Sequence, residues 1–555
     1  MKVGARWCVL LPALFVVGCA ESTPPTHDAF DALEVHDLPE TEDAAEAEGE
    51  VPGCRPGQYD CDGTCVDLTS DPAHCGRCDR ACAPGEVCNE GACASTCTDG
   101  LTNCDGACVD LTSDPEHCGD CATACVRSEE CRAGDCVCVP DCTGRECGDD
   151  GCGGSCGSCG EGFTCLPDGR CSCSGTPCGA ACCGTTQVCL SGGCCNAAWR
   201  VETAASLRAL ARDTDGTLYV AGADGTQAYV AAYDACGVRL REQRFTAPAA
   251  ATGNLLTALA LGNAEVYVAG QALLAGDDPG NGLWARLPKT TLTPAWAVGL
   301  WGGDDLDEIW SVGVTAAGNG WMFGTTRTDA PPMIAWVVRG YADTGRACGF
   351  TAFGGETGTV GRGLVLSGGR VYLGGQRAGQ GMVTSFADDE CGFVAGPCPC
   401  TPSGTTVTVE VAGSLSTEVR ALVDVAGSLY LAGFSDVGGD LGALVARLAG
   451  STVTFAPRWN PTAQIDAFTE LAADASGSAL YAVGTRGWSG TGDAAQAVLA
   501  RYGVAGLTAE WQTTPTGAWA CWDVAVDAGG GIVVACSRTG SGSLLARCLP
   551  SGVCP

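Results

Sequence analysis

The chain has 555 residues, enough for more than one domain, and carries a net charge of −34. So acidic a balance leaves no basic cluster for phosphate contacts and excludes nucleic acid as a partner. Its ordinary meaning is solubility and mutual repulsion. The 42 cysteines are uneven: sixteen lie between Cys54 and Cys136, fifteen between Cys138 and Cys195, and nine beyond. That shift in density marks a boundary near 195.

Residues 1–19 read as an address. Lys2 and Arg6 precede "WCVLLPALFVV", an apolar run too short to span a bilayer but suited to a signal-peptide core. The run ends in "VVGC", which resembles the bacterial lipobox. The resemblance implies that the thiol of Cys19 receives a diacylglyceryl group and that cleavage makes Cys19 the new N-terminus. An ordinary secretory signal cut elsewhere is the alternative, and in either case the chain leaves the cytosol for a compartment where disulfides persist. A lipid anchor holds through buried CH₂ groups and does not span. The acidic, aromatic-poor stretch 20–53 should stay disordered and extended, a tether reaching at most about 100 Å.

Two cysteine-rich repeats follow, 54–96 and 97–137. Cys54, Cys61, Cys65, Cys75, Cys78, Cys82, Cys88 and Cys93 have the same spacing as Cys97, Cys104, Cys108, Cys118, Cys121, Cys125, Cys131 and Cys136. Apolar residues between them are too few for a core, so cross-links must replace it. Eight cysteines close each repeat with four bridges, but sequence leaves 105 pairings open. "VDL" reads as a short strand. "TSDP" reads as a cap with Pro at the first helical position, so a one-turn helix is expected to present Cys75 and Cys78, and equally Cys118 and Cys121. The C-x2-C pairs beside His74 and His117 allow a zinc reading. The number of cysteines and the exported compartment argue against it, and no metal or cofactor is expected. The spacing resembles that of the plant stigma-specific secreted cysteine-rich family, and similar units recur in large myxobacterial surface proteins. The resemblance implies an extracellular disulfide module without enzymatic activity.

Further cysteine- and glycine-rich modules fill 138–195. "GDDGCGG" lacks the spaced acids and terminal Glu of an EF-hand, and turn formation accounts for it better.

From 196 to 555 the pattern changes. "LYVAG", "VYVAG", "GWMFG", "VYLGG", "LYLAG", "LYAVG" and "IVVAC" recur at intervals of 48, 54, 51, 58, 51 and 52 residues, each with flanking strands and most with a Gly-bearing turn. Four short strands in about fifty residues signal a propeller blade. The predicted fold is therefore mostly β: small disulfide-rich repeats, then a seven-bladed β-propeller. "LWGGDDLDEIWSVGVTAAGNGWMFGTT" resembles the bacterial propeller repeat called SBBP, which implies a scaffold and no particular reaction. The last unit lacks an outer strand, and "AAWRVET" (197–203) is expected to supply it, since an open edge invites aggregation. Cysteine parity requires a bridge across the boundary. Cys194 or Cys195 is expected to bond Cys554, a link worth about 2–4 kcal/mol. Cys521 with Cys536 is a second candidate.

The propeller region contains no histidine, which removes His-based general-base and triad schemes there. No catalytic residue is assigned. The densest carboxylates are Asp304, Asp305, Asp307 and Glu308, most simply a solvated loop. Arg327, Arg377, Arg486 and Arg538 follow corresponding strands, with Trp488 and Asp277–Asp278 on equivalent loops. Together they offer a ring for an acidic or sugar ligand, although exposed arginines paired with local acids would look the same. The expected protein is a surface lipoprotein at the bacterial outer membrane or cell surface. It would be a non-catalytic binding or adhesion scaffold for a protein or polysaccharide. A carboxylate-dependent enzyme acting on polysaccharide or peptide, and a structural envelope spacer, are the alternatives.

Overall fold

The computed structural model describes residue 54 and residues 57–246, 251–274, 280–295, 299–301, 306–327, 333–340, 347–351, 358–388, 404–489 and 495–555. Cys19, Asp277, Asp278, Asp304 and Asp305 lie outside the described residues. The described residues divide into two compact units, one ending at Cys138 and one beginning at Val139. Among the described residues every regular element is a strand.

The first unit consists of four hairpins. Their two-residue turns (Asp62-Gly63, Glu90-Gly91, Asp105-Gly106, Ala133-Gly134) hold both residues at positive φ, the conformation that matches the twist of the paired strands. Bridges run Cys54–Cys65, Cys61–Cys78, Cys75–Cys88 and Cys82–Cys93 in the first repeat. The second repeats the pattern as Cys97–Cys108, Cys104–Cys121, Cys118–Cys131 and Cys125–Cys136. Equal spacing thus yields equal connectivity. Cys75, Cys82 and Cys93 lie close enough to suggest an ion, but Cys75 bonds Cys88 and Cys82 bonds Cys93. Their proximity is that of neighbouring bridges.

The one-turn helix expected at "TSDP" does not form. The Asp71 carboxylate does act as a cap, accepting the Ala73 N–H at 2.7 Å, but the Cys75 N–H, which a helical turn would return to Asp71, donates to the Arg80 carbonyl at 2.8 Å. The chain then folds back, with Gly76 N–H donating to the Leu68 carbonyl at 2.7 Å. A Cβ on Gly76 would collide with the carbonyl oxygen of Gly91, and one on Gly119 with that of Gly134. The "CG" glycines therefore permit a backbone crossing in each repeat.

In the second unit, residues 139–195 form small stapled hairpins. At "GDDGCGG" the Asp150 carboxylate accepts the N–H groups of Cys152 and Gly154 at 2.9 and 2.8 Å. It caps a turn. Seven four-stranded antiparallel sheets follow among the described residues. Their inner strands are Ser206–Arg212, Ala251–Leu261, Leu306–Val314, Thr359–Ser367, Ser416–Val425, Ile465–Ala473 and Ala518–Val526, in blades 1 to 7. Each blade packs on the next and blade 7 packs on blade 1, closing a β-propeller. The repeated apolar strand is second in each sheet. It is covered by a neighbouring sheet on each face, so Leu218–Ala221 is apolar throughout instead of alternating. One hydrophobic cluster fills each of the seven blade–blade interfaces.

Ring closure follows the expected route. Trp199–Thr203 pairs antiparallel with Ser543–Cys548, placing Trp199 opposite Arg547. Trp199 enters the cluster between blades 7 and 1. Arg547 is 1% exposed. Its Nη2 meets Asp527 Oδ1 at 3.2 Å, its Nε meets the other carboxylate oxygen, and its Nη1 donates to the Ala197 carbonyl.

The expected link from Cys194 or Cys195 to Cys554 is not made. Cys194 bonds Cys183, Cys195 bonds Cys236, and Cys554 bonds Cys548. The cause is a turn at each end. The tail reverses after Cys548, with Gly552 N–H donating to the Leu549 carbonyl at 2.8 Å, and returns Cys554 to its own strand. Meanwhile the blade 1 turn at 234–238 rises against Trp199, whose Nε1 donates to the Ala235 carbonyl at 3.1 Å, bringing Cys236 to Cys195. One bridge does tie the cysteine modules to the ring, as parity requires, but to the first blade. Cys521 and Cys536 face each other across blade 7 and are bonded.

Candidate functional site

All seven inner strands carry a β-bulge at the corresponding place. In blade 1, Leu207 pairs with Gly222 and Ala209 with Ala221, so Arg208 is left without a partner residue. The residue skipped in this way is Arg208, Arg362 or Arg420 in blades 1, 4 and 5. It is Thr257 or Thr469 in blades 2 and 6, and Trp310 or Trp522 in blades 3 and 7. A bulge re-aims a side chain. Here all seven line one cavity on the propeller axis, with a volume of about 570 Å³.

The glycine closing the repeated "YVAG" strand explains why the bulge recurs. A Cβ on Gly222, Gly270, Gly324, Gly433 or Gly484 would fall on the carbonyl oxygen of Ser206, Leu255, Glu308, Glu418 or Ala467. The bulge pushes that carbonyl into space that only glycine leaves open. In blade 7 the position is Cys536, which is opposite Cys521 and bonded to it.

Two guanidiniums stack on indoles of the adjoining blade: Arg208 over Trp522 at 3.8 Å and Arg362 over Trp310 at 4.1 Å. Trp522 is itself fixed by donation to Ser537 Oγ at 2.8 Å and by an edge-to-face contact with Trp519. Glu418, 6% exposed, receives Arg362 Nε at 3.0 Å and Arg420 Nε at 2.9 Å. Burial alone would raise its carboxyl, but Arg420 and Arg362 hold it below the usual range. Arg208 has no such carboxylate: burial lowers its guanidinium to about 10, and its Nε has no hydrogen-bond partner among the described residues.

Two carboxyls share the cavity wall. Asp523 accepts the N–H groups of Leu210 and Val524, both at 2.7 Å. Burial nevertheless pushes it up to about 7. Glu470 is raised well above the usual range, by burial first and by Asp523 second. Burial thus favours the protonated form of both, the form in which a carboxyl can donate a hydrogen bond.

Of the residues singled out in the sequence, the cavity takes Trp488, which lines it and stands 38% exposed. Arg486 is occupied by Gln496, at 2.9 Å from Nε. Arg538 is engaged at the ring seam: its Nη2 meets Glu202 at 2.9 Å, on the strand that closes the ring. Arg377 and Arg327 end the second strands of their blades, and Arg377 does not line the cavity. Asp307 is buried, with Thr326 Oγ1 donating to it, and neither it nor Glu308 lines the cavity. Sequence reasoning missed Arg208, Arg362, Arg420, Glu470 and Asp523. The signal was present in the recurring glycine, because the residue two positions after the carbonyl it accommodates is the one that leaves register.

The model of the Stigma-specific STIG1-like protein family matches residues 41–96 and 89–139. No curated relative matches the sequence. Among solved structures, virginiamycin B lyase from Staphylococcus aureus is 10% identical, covering 63% of this chain and 98% of its own, with a TM-score of 0.43. A 6-phosphogluconolactonase from Bacteroides uniformis, described as a candidate of that activity, is 17% identical over 56% of this chain and 85% of its own, TM-score 0.35. A Lactobacillus plantarum protein is 13% identical over 57% and 86%, TM-score 0.37.

Proposed function

We infer that the chain is an exported surface lipoprotein, acylated at Cys19, that works as a non-catalytic binding scaffold with its ligand site in the axial cavity of the propeller. The supporting observation is the contrast between what repeats and what does not. Bulge and glycine recur because the blade requires them. The bulged side chains do not recur, changing between Arg, Thr and Trp around the ring. Architecture alone would favour one residue type, whereas a site assembled for recognition needs several. The cysteine-rich repeats support export, because their packing rests on bridges that persist outside the cytosol.

The test is titration of the whole disulfide-bonded protein with cell-envelope and matrix polysaccharides and their fragments, followed by tryptophan fluorescence. Saturable quenching that Trp519→Ala abolishes, with the unfolding midpoint retained, supports the reading. Binding unaffected by Trp519→Ala and Arg208→Gln sinks it. A hydrolytic reading is favoured by one feature, the adjacent raised carboxyls of Glu470 and Asp523. Product formation abolished by Glu470→Gln would establish it.

A further inference from the structure

We propose that the cavity recognises a carboxylated sugar, a hexuronate unit with its carboxylate on Arg208. This rests on the cavity being the binding site and names what fills it.

Charge is the first argument. The chain is acidic by 34 units, yet the cavity wall gathers three guanidiniums. Arg362 and Arg420 share Glu418. Glu470 and Asp523 are held toward the neutral form. Arg208 is the cation whose charge is not matched by a carboxylate among the described contacts, and its ring partner Trp522 covers one face of its plane. Its open fork suits a planar monoanion, which accepts two parallel N–H bonds. A dianionic phosphate fits less well, because the one unmatched guanidinium balances a single negative charge.

Hydroxyl chemistry is the second argument. Thr469 Oγ1 donates to the Cys521 carbonyl at 2.7 Å, Thr485 Oγ1 to that of Trp519 at 3.1 Å, and Thr257 Oγ1 to that of Ile309. Each hydroxyl has spent its proton on a carbonyl and keeps lone pairs as acceptors. A row of acceptors calls for a ligand rich in O–H donors. The neutral carboxyls of Glu470 and Asp523 supply the complementary donors. The indoles of Trp519 and Trp488 offer apolar faces for the C–H side of a sugar ring. A volume of about 570 Å³ accommodates one or two sugar residues.

The experiment titrates the full disulfide-bonded chain at pH 6 with glucuronate, galacturonate, the methyl ester of glucuronate, glucose, benzoate and inorganic phosphate, by calorimetry and tryptophan fluorescence. Saturable uronate binding, weakened at least about thirtyfold by esterification and equally by Arg208→Gln, is expected from loss of a charge-assisted bidentate pair. Arg208→Lys should recover part of the loss, and melting curves of both variants show that the fold persists. Polygalacturonate binding tighter than the monosaccharide identifies a polymer as the source, and the reverse identifies a free sugar acid. If glucose or the ester binds as tightly as the uronates and Trp519→Ala abolishes it, the ligand class is wrong and the cavity reading stands. Preference for benzoate or phosphate likewise overturns the sugar acid. If no compound binds, or all bind regardless of Arg208 and Trp519, both readings fall.

Discussion

Replacing Asp523 by Asn should change how stability responds to pH more than it changes stability itself. Asp523 sits on the inner strand of blade 7 and receives the Leu210 N–H of blade 1 at 2.7 Å, so its carboxyl also joins the ends of the ring. Facing it are Glu470 of blade 6 and Arg208 of blade 1 on the cavity wall. Burial raises it from 3.8 to about 7, which means that folding favours the protonated form. The stabilisation is fully present below the unfolded value of 3.8, declines as pH rises and is lost by the time pH passes the folded value. From pH 5 to pH 8 the loss amounts to about 2–3 kcal/mol. Glu470 shifts in the same direction and the two titrate as a pair. Asn cannot ionise but keeps an acceptor for Leu210. The difference in unfolding free energy, variant minus wild type, should therefore rise by about 2–3 kcal/mol between pH 5 and 8. Denaturant unfolding without reductant, followed by tryptophan fluorescence at several pH values, measures it. Parallel curves for the two proteins would refute the reasoning, since background repulsion in so acidic a chain affects both alike.

Three other outcomes follow from the structure. Arg547→Ala strands Asp527 in a buried site and should cost about 3–5 kcal/mol, with Arg547→Lys recovering little because one ammonium cannot reach both carboxylate oxygens and Ala197; a Lys variant of wild-type stability would contradict this. Gly433→Ala drives a Cβ onto the Glu418 carbonyl and should cost about 3 kcal/mol, whereas Gly506→Ala, whose nearest neighbour would lie at 3.7 Å, should change the midpoint little. Removing the Cys195–Cys236 bridge by the double Ser variant opens a 41-residue loop and should lower stability by about 3–4 kcal/mol; intact mass of the same samples before and after reduction and alkylation also reports acylation at Cys19.

Much of the architecture was legible because it repeats. Seven apolar strands at near-equal intervals, and a leftover "AAWRVET" beside a unit short of one strand, determine blade number and closure by period and by the need to cover an edge. The bridge to Cys236 was not legible, because it depends on where two turns bring their ends. No spacing in the sequence encodes that Trp199 docks on the 234–238 turn. The helix at "TSDP" is absent for a reason that lies beyond those four residues: the N–H groups of Cys75 and Gly76, which a turn after Pro72 would return to Asp71 and Pro72, donate instead to the carbonyls of Arg80 and Leu68. The cavity was hidden more deeply. Arg208, Arg362 and Arg420 occur in strands where strict alternation points them elsewhere, and only a one-residue slip in pairing turns them to the axis.

That slip has a consequence for how the pocket can vary. Because a bulged position pairs with no residue of the neighbouring strand, its identity is set by what it touches in the cavity and not by the register of its sheet. Arg208, which spends no hydrogen bond on a described neighbour, can be exchanged while the sheets around it stay as they are, whereas losing Arg362 or Arg420 would strip the buried Glu418 of a cation. A lineage, or an engineer, could change the lining of the cavity at such a position without ever crossing an unfolded intermediate.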